Sequence, residues 1–232
     1  GQVKVVENNY EAYQPYTKNI IIRILGNDLE GLHGDNQTYE NLQFTLINEA
    51  NFESCDKLYI LNRIIDKDKE QKYIDLLDKY KAKYIEISFD RNEYSKFKNT
   101  DIDMVELEYV TNNPSYRSIK LMNQLYYHNL YLINNNGARN TAIKYGIKNN
   151  YKWIFVYDSN AFITKKQYQD IINNISENDK YIVIPQLRIS EQNLNNHDIL
   201  TNHPNLQLIT EKEPQIAFHN SSKEMFNENL PY

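Results

Sequence analysis

A chain of 232 residues and 27.7 kDa makes one large domain, or one domain with a small appendage, and can bury a core without covalent staples. Its single cysteine, Cys55, excludes an internal disulfide and a multi-cysteine zinc module. A net charge of -5 and a pI near 5.6 argue against nucleic-acid binding through a global positive field, and no run of about 18 apolar residues spans a membrane. Mean hydropathy is low at -0.73, yet the chain holds 20 tyrosines, and disordered chains are poor in aromatics. The composition therefore reads as a folded domain with a wet surface. About one residue in seven is Asn, with Lys, Ile and Tyr also abundant, as codon bias from an AT-rich genome would give. The chain opens on Gly1 rather than Met, so a piece trimmed from a longer product is expected. The location expected for it is cytoplasmic.

Residues 1–14 show no period and read as a peripheral tail. The run Asn19 to Leu25 is almost continuously apolar and β-branched, which suits a buried parallel strand, and Gly26-Asn27-Asp28 ends it. Thr38 to Asn48 places Leu42, Leu46 and Ile47 at helical spacing. Lys57 to Arg63 is a second strand. Asp66 is a candidate cap for a helix over Lys67 to Tyr80, and Lys83 to Phe89 is a third strand. The first ninety residues thus read β-α-β-α-β, the rhythm of a doubly wound parallel sheet. Asp90 to Asn129 breaks that rhythm. A helix is expected from about Gly137 to Asn149, then a strand over Tyr151 to Tyr157 ended by Asp158-Ser159-Asn160. Thr164 caps a helix running to about Ile175. Lys180 to Ile189 reads as a fifth strand, which Pro185 demotes to an edge or a bulge. Leu206 to Thr210 and Gln215 to His219 are short strands, and mixed pairing is expected in this half.

Asp158-Ser159-Asn160 is the segment with the clearest chemistry. Ligands of an open α/β sheet sit outside the carboxyl ends of its strands. Two oxygen ligands at i and i+2 on such a turn can face one hard cation, Mg²⁺ or Mn²⁺, that also takes diphosphate oxygens. The same two residues are also ordinary turn formers. Arg23 stands inside an apolar strand, so it is either over a ligand at the strand end or paired with an acid. His33 is a loop histidine within reach of a phosphate or simply exposed. The fingerprints G-x-G-x-x-G, G-x-x-x-x-G-K-[ST] and G-x-S-x-G are absent.

Gly137-Ala138-Arg139-Asn140, a gap of about eighteen residues with a hydrophobic strand, and then Asp158-Ser159-Asn160 resemble the GT-A glycosyltransferases in order and spacing. Segments Arg23 to Asp28 and Leu61 to Asp66 are similar to those of a little-described group of that kind. The resemblance covers Ile20 to Asn229. It implies an α/β, GT-A-like, mostly parallel central sheet flanked by helices. Residues 15–160 would form the nucleotide-binding half and residues 161–232 the acceptor-side half.

The activity implied is transfer of a sugar from a UDP-linked donor to a glycan or protein acceptor, assisted by Mn²⁺ or Mg²⁺. Asp158, Asn160 and His219 are the implied metal ligands. Arg23, Gly26, Asn27, Asp28, Arg63, Arg139 and Asn140 are the implied donor-binding residues. Asp158 and Glu213 are the implied catalytic groups, with Glu228 as another late acid. Asn160 departs from the D-x-D pattern and makes the metal site less charged. Two rivals stand beside this reading. One is a catalytically silent module of the same fold, and the other is a nucleotidyltransferase, whose basic loop after the first strand is acidic here. No nucleic acid is expected as partner. The assembly is left open, with a homodimer as one form.

Overall fold

The computed structural model describes residues 18–30, 32–97, 125–184, 187–188 and 214–228. Eight strands and six helices follow in this order: β1 (Asn19–Leu25), α1 (Gln37–Asn48), β2 (Cys55–Asn62), α2 (Lys67–Lys79), β3 (Lys83–Ile87), α3 (Arg91–Tyr94), α4 (Tyr126–Ile133), α5 (Asn135–Lys148), β4 (Trp153–Asp158), β5 (Ala161–Phe162), α6 (Lys165–Asn174), β6 (Tyr181–Ile184), β7 (Leu187–Arg188) and β8 (Gln215–His219). These counts are of the described residues. The expected tail over residues 1–14 and the expected strand Leu206 to Thr210 lie outside them. Among the described residues no helix is long and apolar enough to cross a membrane.

The main sheet has the order β3-β2-β1-β4-β8-β6, and β5 and β7 form a small second sheet. Strands β3, β2, β1 and β4 run parallel, while β8 is antiparallel to both β4 and β6. The molecule is therefore α/β, with a mixed six-stranded sheet flanked by helices.

Strand β1 is buried along its whole length because both faces of the sheet are covered. On one face Ile20, Ile22, Ile154 and Val156 pack against Ala138, Ala142 and Ile143 of α5. On the other, Ile21, Phe155 and Tyr157 pack with Tyr168 of α6 and with Phe52. Leu42, Leu61, Tyr73 and Leu77 close a third core beneath α1 and α2.

Local chemistry places the helices. The Asp66 carboxylate accepts from the backbone N–H groups of Asp68 and Lys69 and starts α2. Thr164 and Gln167 make a reciprocal capping box at α6. Asn134, left-handed at φ 41°, both ends α4 and starts α5. Helix α5 lies directly on β4, since a Cβ on Gly146 would stand 2.3 Å from Ile154 Cγ1.

Two expectations on strands need correction. The single strand expected over Lys180 to Ile189 is two short ones, β6 and β7, that join different sheets. Arg63 is not in β2; it follows the strand in a left-handed conformation, φ 49°.

Candidate functional site

From β1 the chain steps outward to β2 and β3, then crosses back to place β4 on the other side of β1. The order reverses between β1 and β4, so their carboxyl ends leave a crevice uncovered by either crossover. A cleft of about 370 Å³ lies there, lined by Ile24, Gly26 and Asn27 at the end of β1 and by Asp158, Ser159 and Asn160 at the end of β4. Asn62 closes it on the β2 side, and His33, Gln37 and Thr38 form a further wall. Gly26 offers bare backbone, with nothing within 4 Å of where a Cβ would stand.

Asp158 is half-buried and held from two sides. Arg139 Nη2 donates to Oδ1 at 3.2 Å, and Gln215 Nε2 donates to Oδ2 at 3.2 Å. The Gln215 side chain also accepts from the Asp158 backbone N–H at 3.1 Å, which fixes the strand end. Arg139 reaches across from the first turns of α5, its guanidinium 5.4 Å from the centre of the Phe226 ring. A carboxylate has about four lone-pair positions, and these two bonds use one on each oxygen. The donor set fits a divalent ion only in its leanest form. Asp158 and Asn160 would supply two oxygens, and a diphosphate and water the rest, as hard cations accept. Among the described residues no group of three His, Cys, Asp or Glu side chains converges on one point.

The other expected residues divide. Gly26 and Asn27 line the cleft, but the Asn27 amide is largely committed, donating to the Arg63 carbonyl and accepting from the Ile65 N–H, both at 2.9 Å. Asp28 does not line it: Oδ1 accepts the Thr38 N–H at 3.0 Å and its hydroxyl at 2.7 Å, capping α1 from outside the helix. Arg63 is likewise spent elsewhere. It stacks 4.1 Å from the Tyr131 ring centre and donates to the Tyr131 carbonyl, binding α4 to the end of β2. Burial holds its guanidinium below the ordinary value, against the opposing pull of Tyr131 and Glu228.

Arg23 takes the second of its two expected places, paired with an acid, and its donor-binding role is corrected, as are the roles of Asn140 and His219. Arg23 is 1% exposed and does not line the cleft. Its fork closes on both oxygens of Glu49, and its Nε donates to the Ala161 carbonyl at 3.2 Å. A charge in the middle of a covered strand has no water to reach, so pairing wins. Burial disfavours its charge, and Glu49, Tyr59 and Tyr157 more than offset that, leaving its pKa raised. Asn140 is buried too. Its amide donates to the Phe226 carbonyl and to Glu228 Oε1, and accepts the Phe226 N–H, so it clips the C-terminal segment to α5 rather than facing a donor.

His219 stands at the wrong end of the sheet. Antiparallel β8 sets it against Trp153, five positions from Asp158 on β4 and roughly 16 Å away at the ordinary strand rise. It cannot share a metal with Asp158. Glu213 lies outside the described residues, and Glu228 sits by Asn140 rather than on the cleft.

Gln215, Asn62 and Glu49 carry structural work at the site that the sequence reading did not single out. Gln215 opens a short strand and showed no motif. Asn62 donates to the Ile133 carbonyl at 2.7 Å and accepts from Asn134 at 2.9 Å, which sets the start of α5. A buried Asn at the end of an apolar strand was the available signal for it. Glu49 ends α1, and it is the acid that one of the two expectations for Arg23 called for without naming it. Comparison with protein-family models, with curated proteins and with solved structures gave no match.

Proposed function

We propose that the chain is a glycosyltransferase of GT-A type that binds a UDP-linked sugar in the cleft between β1 and β4 and passes the sugar to a glycan or protein acceptor. The observation that carries this reading is Asp158. It is an acid at the switch point of the sheet, open to the cleft and held in one orientation by Arg139 and Gln215. The order Gly137-Ala138-Arg139-Asn140, strand, Asp158-Ser159-Asn160 supports it further.

The cleft has chemistry for an anionic leaving group. Asp158 and Asn160 would hold Mn²⁺ or Mg²⁺, which when bound neutralises a departing diphosphate. Arg139 adds a fixed positive charge beside it, already oriented by Asp158 and the Phe226 ring, so little reorganisation is needed. Bare backbone at Gly26 lets a ligand approach the end of β1 closely. Leu32, His33 and Gln37 line its far side.

A thermal-shift and calorimetry panel of UDP, UDP-sugars and other nucleotides, each with and without Mn²⁺, tests the reading. A UDP compound should bind with Mn²⁺, and Asp158→Ala should abolish the metal-dependent part while the variant stays folded. No nucleotide binding at millimolar concentration in either condition rejects the reading. The lean donor set favours one rival, a sugar- or protein-binding module of the same fold without turnover. UDP-sugar binding that is indifferent to Mn²⁺, with no donor hydrolysis over hours, would select that rival.

A further inference from the structure

The most deeply buried ion pair in the described molecule is that of Arg23 and Glu49, with side-chain exposures of 1% and 0%. Taking two charges out of water is costly, and an apolar pair of like volume often leaves a protein equally stable or more so. Stability alone therefore gives no account of a guanidinium in the middle of β1. An apolar pair could fill the space. It could not donate a hydrogen bond to the Ala161 carbonyl, which Arg23 Nε does at 3.2 Å.

Ala161 is the far end of the turn that begins at Asp158. The near end is fixed by Gln215 through the Asp158 backbone N–H and carboxylate. Between these two anchors stand only Ser159 and Asn160, which line the cleft. Arg23 is itself immobilised. Glu49 grips both of its terminal nitrogens, the Tyr157 ring centre lies 5.5 Å from its Cζ, and Lys57 bonds the same carboxylate at 3.0 Å. A bidentate Arg–carboxylate pair has a defined geometry, so the third donor of the fork points in one direction.

We propose that Arg23 is a positioning residue: locked by Glu49 inside the sheet, it holds the Ala161 end of the turn and so sets where Asp158 and Asn160 meet a bound metal–diphosphate. This rests on the glycosyltransferase reading for the identity of the ligand. It does not rest on that reading for the mechanical claim.

The test compares the wild-type protein with Arg23→Met/Glu49→Leu, which keeps an apolar filling, and with Arg23→Lys, which keeps the charge against Glu49 but has no Nε–H. Amide hydrogen exchange is read at residues 159–162 and, as internal control, at Ile20 to Ile22 of β1. UDP with Mn²⁺ is then titrated into all three. The expected result is exchange in the turn faster by about tenfold or more, the scale of one lost charge-assisted hydrogen bond, with the β1 amides unchanged. Affinity for UDP with Mn²⁺ should fall by a similar factor in the variants.

Unchanged exchange at the turn in a folded variant overturns the proposal, since the network is then only filling. Faster exchange with full UDP affinity also overturns it, since the turn then needs no anchor to bind. If the double variant does not fold, Arg23→Lys decides by the same two readings. If wild type takes up no UDP, the glycosyltransferase reading falls, and the exchange data alone decide whether Arg23 holds the turn.

Discussion

Arg139 shows how much of the cleft depends on one side chain. Its plane rests on Phe226 while one nitrogen reaches Asp158, so its position is set by packing as well as by charge. Lysine in its place keeps the charge and loses both the planar stack and the fork. Arg139→Lys should weaken UDP–Mn²⁺ binding by roughly 1–3 kcal/mol in calorimetry, the scale of one charge-assisted hydrogen bond. Wild-type affinity in Arg139→Lys and in Arg139→Ala would remove Arg139 from the site.

Gly146 has the opposite logic, for there the missing side chain matters. Alanine gains about 1 kcal/mol of helix propensity, but its Cβ would meet Ile154 Cγ1 at 2.3 Å and Cγ2 at 3.0 Å. Ile154 is fully buried and has nowhere to turn. Overpacking of this kind costs ~1–3 kcal/mol, so Gly146→Ala should lower the urea midpoint without changing the slope. An unchanged or higher midpoint would mean that α5 can lift from β4 freely.

Among the elements, α5 joins three parts of the molecule. It covers one face of the sheet, carries Arg139 to the site, and holds the segment around Phe226 through Asn140. Asn140→Ala leaves two backbone groups of Phe226 and one oxygen of Glu228 without this partner. Stability should fall by roughly 1–3 kcal/mol, and the amides of residues 226–228 should exchange faster than those of β8. Equal exchange in both would show that Phe226 alone fixes the segment.

The helices and strands were largely legible in the chain because their signals are local. A continuous Ile-rich run marked β1 and an aromatic-rich apolar run marked β4, Asp66 and Thr164 marked helix starts, and the βαβ rhythm marked the parallel half. What was not legible was non-local. No local pattern says that β8 inserts antiparallel between β4 and β6, and this insertion carries His219 away from Asp158. Nor does β1 by itself say which acid Arg23 will find. That Asp158 and Asn160 share one turn was legible because it spans three consecutive residues. The shared anchor Gln215 comes from a distant strand and was not.

At the scale of the whole molecule, the two ends of the sheet have separate chemistry. The cleft with Asp158 is at the carboxyl ends of β1 and β4, and His219 is at the amino end of β4. Burial, then the neighbouring Lys180 and Lys152, hold the His219 imidazole below its ordinary value of 6.5. The unfolded chain therefore takes up this proton first, and the folded state loses stability as pH falls below 6.5 toward the lower folded value. Followed by NMR, His219 should titrate below 6.5, move upward in Lys180→Gln, and ignore UDP with Mn²⁺. A midpoint that shifts on adding nucleotide would place ligand and histidine at one end of the sheet after all.

The strand order also has a consequence for synthesis. Strand β6 leaves the ribosome before β8, yet among the described strands its place in the main sheet is beside β8 alone. Until Gln215 to His219 emerge, Tyr181 to Ile184 have no edge to dock on, and the outer edge of β4 is bare as well. The nascent protein thus carries two unpaired strand edges at once through a stretch of translation, the condition in which chains associate wrongly. Chains stalled short of Gln215 should be cut by protease within Tyr181 to Ile184, and chains released beyond His219 should resist. The parallel half can close early, but the sheet is completed only from its far end backward.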